Sequence, residues 1–455
     1  MKLSSSFKGI RLPRPPAAAP PAPLPAPEKV YLPLRQHLGA VAEPTVEPGD
    51  KVSLGQVVGA SDEFEAATVQ ATVSGTVEAV VETPDPSGEQ VPTVVIVNDG
   101  ADAWSEELSE PGAALEGVEA VRSTRPTRLL RRLREAGLVR AQVQGRPLHV
   151  DLSPPMAPQS YLYMTGIPVV RPIDTLIIKA VDADPPVCPN HSVLGEAGEE
   201  LAVGVAALAR ISGAKRVIIA LPSGVEAEGI KTLAAQHEWE TVSVDPRRYP
   251  FATDNLLVLS LTGREVPTPY GEPRDVGVAL QPLITALDAG RVLTSGRPVI
   301  ERVFSVAGQV KNPGVFRVRL GTPIEQVLAA AGGGPARAGK VVVGGPMMGL
   351  AIFDTAMPVT RETEGVFVQS APQVRHFADH PCIHCGRCVA VCPVNLIPSE
   401  LSKLCEFRLF EDAAEQNLMN CIECGCCAYV CPAQRPMVHF LRHGKTEVLA
   451  GRMEQ

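Results

Sequence analysis

Between residues 30 and 98 the apolar positions fall in short runs rich in Val, with Thr among them. These runs are cut by Pro48-Gly49-Asp50, Gly55, Ser74-Gly75 and Pro86-Ser87-Gly88. Short strand-favouring runs between turn signals predict a small all-β module. Residues 125–262 then alternate two patterns. Arg128-Leu129-Leu130-Arg131-Arg132-Leu133-Arg134 has the period of a basic amphipathic helix and is stopped by Gly137. Leu176-Ile177-Ile178 and Val217-Ile218-Ile219-Ala220 are unbroken apolar runs, as parallel strands covered on both faces require, and residues 201–211 between them read as a helix. The order predicts an α/β sheet. The arginine run is read as a solvated helix face, the alternative being a patch for an acidic partner or a phosphate. Residues 300–352 change character to strand, Asn312-Pro313-Gly314 turn, strand, helix over 324–331 and the closing Val341-Val342-Val343-Gly344-Gly345-Pro346. From about residue 374 the pattern is helical with cysteine-rich loops. The expected units are therefore a Pro/Ala-rich extended arm (1–28), a β module (29–104), an α/β domain (105–299), a compact β-strand and helix domain (300–352) and a cysteine-rich helical domain (353–455).

Composition narrows the chemistry. The chain has 455 residues, enough for roughly three or four domains. Its 42 Lys+Arg against 50 Asp+Glu leave a net charge of -8, which excludes nucleic acid as a main partner because phosphate binding needs a positive field. No stretch approaches the ~18 apolar residues of a membrane span, so the expectation is a soluble chain or one held at a membrane by other subunits. Of 11 cysteines, one is Cys188 and the other ten lie between Cys382 and Cys431. Disulfide frameworks spread along a chain, whereas metal sites bunch.

The bunched cysteines form two runs, Cys382-x-x-Cys385-x-x-Cys388-x-x-x-Cys392-Pro393 and Cys421-x-x-Cys424-x-x-Cys427-x-x-x-Cys431-Pro432. Each is similar to the run of two-cluster ferredoxins, in which three thiolates hold one [4Fe-4S] cluster and the fourth crosses to the other. That likeness implies one cluster on Cys382, Cys385, Cys388 and Cys431, and a second on Cys421, Cys424, Cys427 and Cys392. A zinc site is the alternative, but two close pairs would suffice for it and the third and fourth cysteines would have no task. Cys405 and Cys426 are left over and are read as small buried residues. Cys188 and His191 are too few for a metal site and read as part of a proline-stiffened loop.

Two further resemblances concern whole domains. Val46-Glu47-Pro48-Gly49-Asp50-Lys51-Val52 with Val73-Ser74-Gly75-Thr76-Val77 resembles the barrel-sandwich fold of biotinyl and lipoyl carriers, but residues 55–72 contain no lysine to modify, which leaves a structural module. Nearly the whole chain resembles the C subunit of the Rnf ion-translocating electron transport complex. The likeness rests on Phe7-Lys8-Gly9-Ile10, Gln36-His37-Leu38-Gly39-Ala40, Leu261-Thr262-Gly263-Arg264-Glu265-Val266-Pro267, Gly308-Gln309-Val310-Lys311-Asn312-Pro313-Gly314, Gly344-Gly345-Pro346-Met347-Met348-Gly349 and both cysteine runs. It implies a Rossmann-like middle domain related to the flavin subunit of complex I, a β-grasp domain of the SLBB type, and a two-cluster ferredoxin domain. It also implies a peripheral place on the cytoplasmic face of a prokaryotic membrane complex.

The chain departs from that family around one pocket. Where the family has a glycine-rich flavin loop, this chain reads Arg140-Ala141-Gln142-Val143-Gln144-Gly145-Arg146. Where it has Asn-Gly-Ala-Glu-Cys-Glu-Pro, the chain reads Lys179-Ala180-Val181-Asp182-Ala183-Asp184-Pro185, and its Tyr-Pro-Gln-Gly stretch appears as Tyr249-Pro250-Phe251-Ala252. The expectation is an electron-transfer subunit of an Rnf-type complex that does not itself bind FMN or NADH. Its partners would be the other subunits and an external donor or acceptor such as NADH, a cytochrome or a ferredoxin-like protein. Two alternatives are an FMN-containing NADH dehydrogenase subunit, with Asp182 and Asp184 lining the flavin pocket, and a structural docking subunit.

Overall fold

The structure, a computed structural model, describes residues 8–13, 19–109, 114–142, 144–153, 172–268, 271–335, 338–374, 376–377 and 380–453. The N-terminal β module has a four-stranded antiparallel sheet in the order Lys29–Pro33, Gln90–Asn98, Gly75–Pro84, Lys51–Val52, and a three-stranded one built from Glu43–Pro44, Val57–Ala60 and Val69–Gln70. The two share one core, in which Val30, Leu32, Val94 and Ile96 from the first sheet meet Val58 and Val69 from the second. Alternation does the sorting: Val30 and Leu32 are fully buried while Lys29 and Tyr31 between them are not.

The middle domain is a parallel sheet in the order Glu240–Val244, Arg216–Pro222, Thr175–Lys179, Val278–Pro282. Every residue of Thr175–Lys179 is buried, because the helices Glu199–Ser212 and Leu283–Ser295 cover one face and Asp254–Thr262 the other. The arginine-rich helix Pro126–Glu135 buries only Leu129 and Leu133, which makes its basic side a solvated face. The two long helices touch backbone to backbone: a Cβ at Gly290 would lie 1.7 Å from the Glu200 carbonyl oxygen. Gly290→Ala is therefore expected to force them apart at a cost of about 3 kcal/mol, measured by denaturant unfolding.

The third domain is a six-stranded sheet in the order Leu350–Ile352, Ala338–Val343, Gly365–Ser370, Glu301–Gly308, Gly314–Arg319, Ala22–Pro23, with the helix Ile324–Ala330 packed on it. The sheet runs past residue 352, since Gly365–Ser370 pairs with both Glu301–Gly308 and Ala338–Val343. The described residues of the Pro/Ala-rich arm are not free. Ala22–Pro23 adds to the outer edge of this sheet and Ile10–Arg11 pairs with Arg248–Tyr249. Two-residue edge pairings of this kind tolerate prolines, which have no N-H for a central ladder.

The last domain is helical: Arg387–Val391, Pro398–Glu406, Phe410–Glu415, Cys426–Tyr429 and Met437–Met453. Among the described residues no helix is long and apolar enough to cross a membrane.

Candidate metal centre and its neighbouring cavity

The two cysteine runs are one structural repeat. Adding 39 to each number of the first run (382, 385, 388, 392) gives the second (421, 424, 427, 431). The backbone follows the same offset. His384 and Glu423 both have φ of 56°, and Gly386 and Gly425, at 72° and 76°, start the short helices Arg387–Val391 and Cys426–Tyr429. The longer helices begin at Pro398 and Met437. In each loop this turn aims an N-H at the first sulfur: His384 N donates to Cys382 Sγ and Glu423 N to Cys421 Sγ, both at 3.4 Å. Leu396 N donates to Cys392 Sγ at 3.3 Å.

Each fourth cysteine leaves its own loop for the other. Cys382, Cys385, Cys388 and Cys431 line one hollow of about 120 Å³. Cys392, Cys421, Cys424 and Cys427 line a second, together with Cys426. Four cysteines lining one hollow are the thiolate set that a [4Fe-4S] cluster takes. Burial pushes the Cys421 thiol up to about 11 and raises Cys392 and Cys427 as well. Buried thiolates of this kind need the positive charge of iron beside them, so loading the sites releases protons. The surroundings differ: Cys385 is exposed next to Ile383 at 63% exposure, whereas Cys392, Cys424 and Cys427 are all buried.

The remaining cysteines have other tasks. Cys405 is 1% exposed in the core with Leu401, Leu418 and Leu441, and it fits there because its counterpart in the repeat is Gly444, where a Cβ would lie 2.3 Å from the Cys405 sulfur. Cys426 is fully buried, keeps its proton and hydrogen-bonds Cys424, whose thiol that bond pulls down. Cys188 precedes the short helix Pro189–Ser192, and burial pushes its thiol up to about 12.

A larger cavity of about 420 Å³ adjoins the second hollow, with Cys421 and Ile422 in its wall. It opens at the C-terminal ends of the parallel strands, where Lys179 ends Thr175–Lys179, and it is closed by Gly344, Gly345 and Met348 of the third domain. This is the place where a doubly wound sheet binds a nucleotide. The loop that would hold a flavin phosphate does not fit one. The N-H groups of Arg140, Gln142 and Gly145 are bonded to the carbonyls of Arg146, Arg140 and Gln142, that of Ala141 to Thr285 Oγ1, and that of Gln144 to the Glu362 carboxylate. These five N-H groups are therefore not available to an anion. Side chains fill the space as well. Asp254, at the start of Asp254–Thr262, pairs with Arg140 and, at 2.9 Å, with Lys179.

Asp182 and Asp184 line the cavity, yet their oxygens serve the protein itself. Asp182 accepts hydrogen bonds from Asn190 Nδ2 at 2.8 Å and from the N-H groups of Asn190 and His191, tying down Pro189–Ser192. Asp184 Oδ2 accepts from Met347 N at 2.7 Å, fastening the third domain to the sheet, while its Oδ1 is buried without a partner. Burial pushes Asp182 up to about 7 and Asp184 up to about 6, against these hydrogen bonds. A raised carboxylic acid keeps its proton longer folded than unfolded, so stability falls as pH rises from about 4 through 6. Asp184→Asn removes that charge and is expected to be more stable than the wild type by an amount on the order of 2 kcal/mol at pH 8, and no more stable at pH 4. Thermal unfolding at the two pH values checks this.

Four families match in the order of the domains. Residues 8–101 match the RnfC barrel sandwich hybrid domain, 133–289 the Nuo51 FMN-binding domain, 303–351 the SLBB domain and 381–434 the 4Fe-4S dicluster domain. The chain is 32% identical to the C subunit of the proton-translocating ferredoxin:NAD(+) oxidoreductase complex of Clostridium ljungdahlii, over 93% of this chain and 89% of that protein. The chain belongs to the RnfC family. It is also 32% identical to the C subunit of the Na(+)-translocating ferredoxin:NAD(+) oxidoreductase complex of Acetobacterium woodii, over 94% of this chain and 92% of that one. The C subunit of an ion-translocating oxidoreductase complex from Methanosarcina acetivorans is 30% identical over 93% of both. Within the RnfC family this chain keeps all four domain types and an iron-sulfur cysteine pattern, while its FMN-binding domain carries the Lys179–Asp254 ion pair in the cavity wall.

Proposed function

We propose that this chain is the peripheral iron-sulfur subunit of a membrane-bound Rnf-type complex, relaying single electrons between neighbouring subunits while the complex moves ions. The observation that carries the reading is the pair of four-cysteine hollows built from crossed runs. Cys382, Cys385, Cys388 and Cys431 hold one [4Fe-4S] cluster, and Cys421, Cys424, Cys427 and Cys392 the other. Bound clusters of this type supply one-electron exchange without bond making or breaking. The residues' part is to hold the sulfurs, donate N-H groups to them and keep water from the second site. With no apolar span among the described helices, attachment to the membrane is through other subunits, on its cytoplasmic face. The relatives' names point to ferredoxin and NAD(+) as the redox partners of such complexes. Because Arg140, Ala141, Gln142, Gln144 and Gly145 spend their N-H groups internally, the electrons reach this chain from a protein partner and not from its own FMN.

A second reading, an FMN-containing NADH dehydrogenase subunit, draws support from the 420 Å³ cavity and the matched FMN-binding domain. Anaerobically purified protein separates the two. The first reading expects about eight irons per chain, paired-cluster EPR signals and no flavin absorbance. Bound FMN with rapid bleaching of the clusters by NADH would establish the second instead.

A further inference from the structure

The first strand among the described residues packs against the wall of the second hollow. Ile10 and Leu12 belong to one apolar cluster with Tyr249, Met347, the ligand Cys424 and its neighbour Cys426, and Leu12 is 9% exposed there. The strand is fastened closely. Ile10–Arg11 pairs with Arg248–Tyr249, and Leu12 N donates to the Arg247 carbonyl at 2.9 Å. At Gly9 a Cβ would lie 2.3 Å from the Tyr249 carbonyl oxygen, so only glycine lets the backbones come so near. Tyr249 in turn donates its hydroxyl to the Cys424 carbonyl at 2.6 Å.

The repeat makes the cover conspicuous. The two hollows share ligand spacing and loop geometry, yet at the first Cys385 is exposed, and at the second Cys424 is overlaid by a segment that precedes it by more than four hundred positions. The apolar side chains of this segment lie against Cys424 and Cys426 at one site of the two.

We propose that residues 8–13 form a built-in lid on the second iron-sulfur site, and that the reduction potential and oxygen resistance of that site depend on the lid. The inference rests on the reading that both hollows hold clusters. Solvent exposure and hydrogen bonding to the sulfurs are the levers by which a protein sets cluster potential, and access by oxygen follows the same opening.

The test uses the full chain, purified anaerobically with its clusters, as wild type and as the double variant Ile10→Ser, Leu12→Ser. Iron release to a ferrous chelator in air and EPR-monitored redox titration are both measured. The variant is expected to lose half its iron about tenfold faster or more, the other half leaving at the wild-type rate. One midpoint potential moves and the other stays. Gly9→Val, which lifts the strand without adding polarity, should do the same, while Ile10→Val with Leu12→Met should behave as wild type. Release of both halves at the wild-type rate with neither midpoint moved would overturn the lid. Wild-type protein carrying one cluster would instead overturn the two-cluster reading beneath it.

Discussion

Cys385→Ala is expected to lower the iron content from about eight to about four per chain and to stop electron flow through the assembled complex. The first hollow is lined by four cysteines and no fifth, so nothing replaces the missing sulfur. Alanine keeps the size but supplies no ligand, and three sulfurs leave one corner of the cubane open. The second hollow behaves differently, because Cys426 lies in its wall beside Cys424. Cys424→Ala with Cys426→Ala should match the loss seen with Cys385→Ala, whereas Cys405→Ala should leave iron content unchanged. Iron and sulfide analysis with EPR on each variant gives the result, and electron flow unchanged in Cys385→Ala with intact assembly would make this chain a docking subunit instead.

Asp254→Ala is expected to destabilise the middle domain by about 3–5 kcal/mol, because it leaves the buried Lys179 without its ion-pair partner and Arg140 with only the longer contact to Asp151 at 3.7 Å. The Lys179 and Asp254 side chains are 5% and 17% exposed, and Arg140 is 13% exposed. Burial by itself would raise the Asp254 carboxyl, but Arg140 and Lys179 together hold it well below the usual aspartate range. A lowered carboxyl contributes stability that is complete above about pH 4 and is lost as pH falls below it. The gap between wild type and Asp254→Ala should therefore be full at pH 7 and narrow under acid, which denaturant titrations at several pH values would record. Replacing all three residues together by apolar ones of similar size should recover most of the loss, since burying charges is costly even when they are paired.

What the sequence disclosed and what it withheld divide by distance along the chain. The cysteine spacing is local, and a loop three residues long either does or does not place its sulfurs around one centre. The departure of residues 140–146 from a glycine-rich loop was legible for the same reason, because glycine content is counted within one turn. The cluster of Arg140, Lys179 and Asp254 was not, since it joins a loop, a strand end and a helix start from three separate segments. Asp182 and Asp184 kept the family's acidic spacing, but nothing in that spacing reveals that Asp182 is held by the N-H groups of Asn190 and His191 and one oxygen of Asp184 by that of Met347. Gly365–Ser370 lies beyond the segment whose strand pattern was recognised, and its neighbours in the sheet are set by crossover connections. The arm showed only prolines and alanines, a composition that describes stiffness and says nothing of where an edge will accept it.

The 39-residue repeat has a consequence for direction. Two copies of one loop, with the same four-sulfur set and the same bond pattern, would have equal appetite for an electron if they stood in the same medium. In one copy Cys385 is exposed, while in the other Cys424 is buried against a distant part of the chain and the hollow is backed by the 420 Å³ cavity. Any downhill step between them is therefore written by the upholstery rather than by the ligands, and retuning the flow calls for changes far from every cysteine.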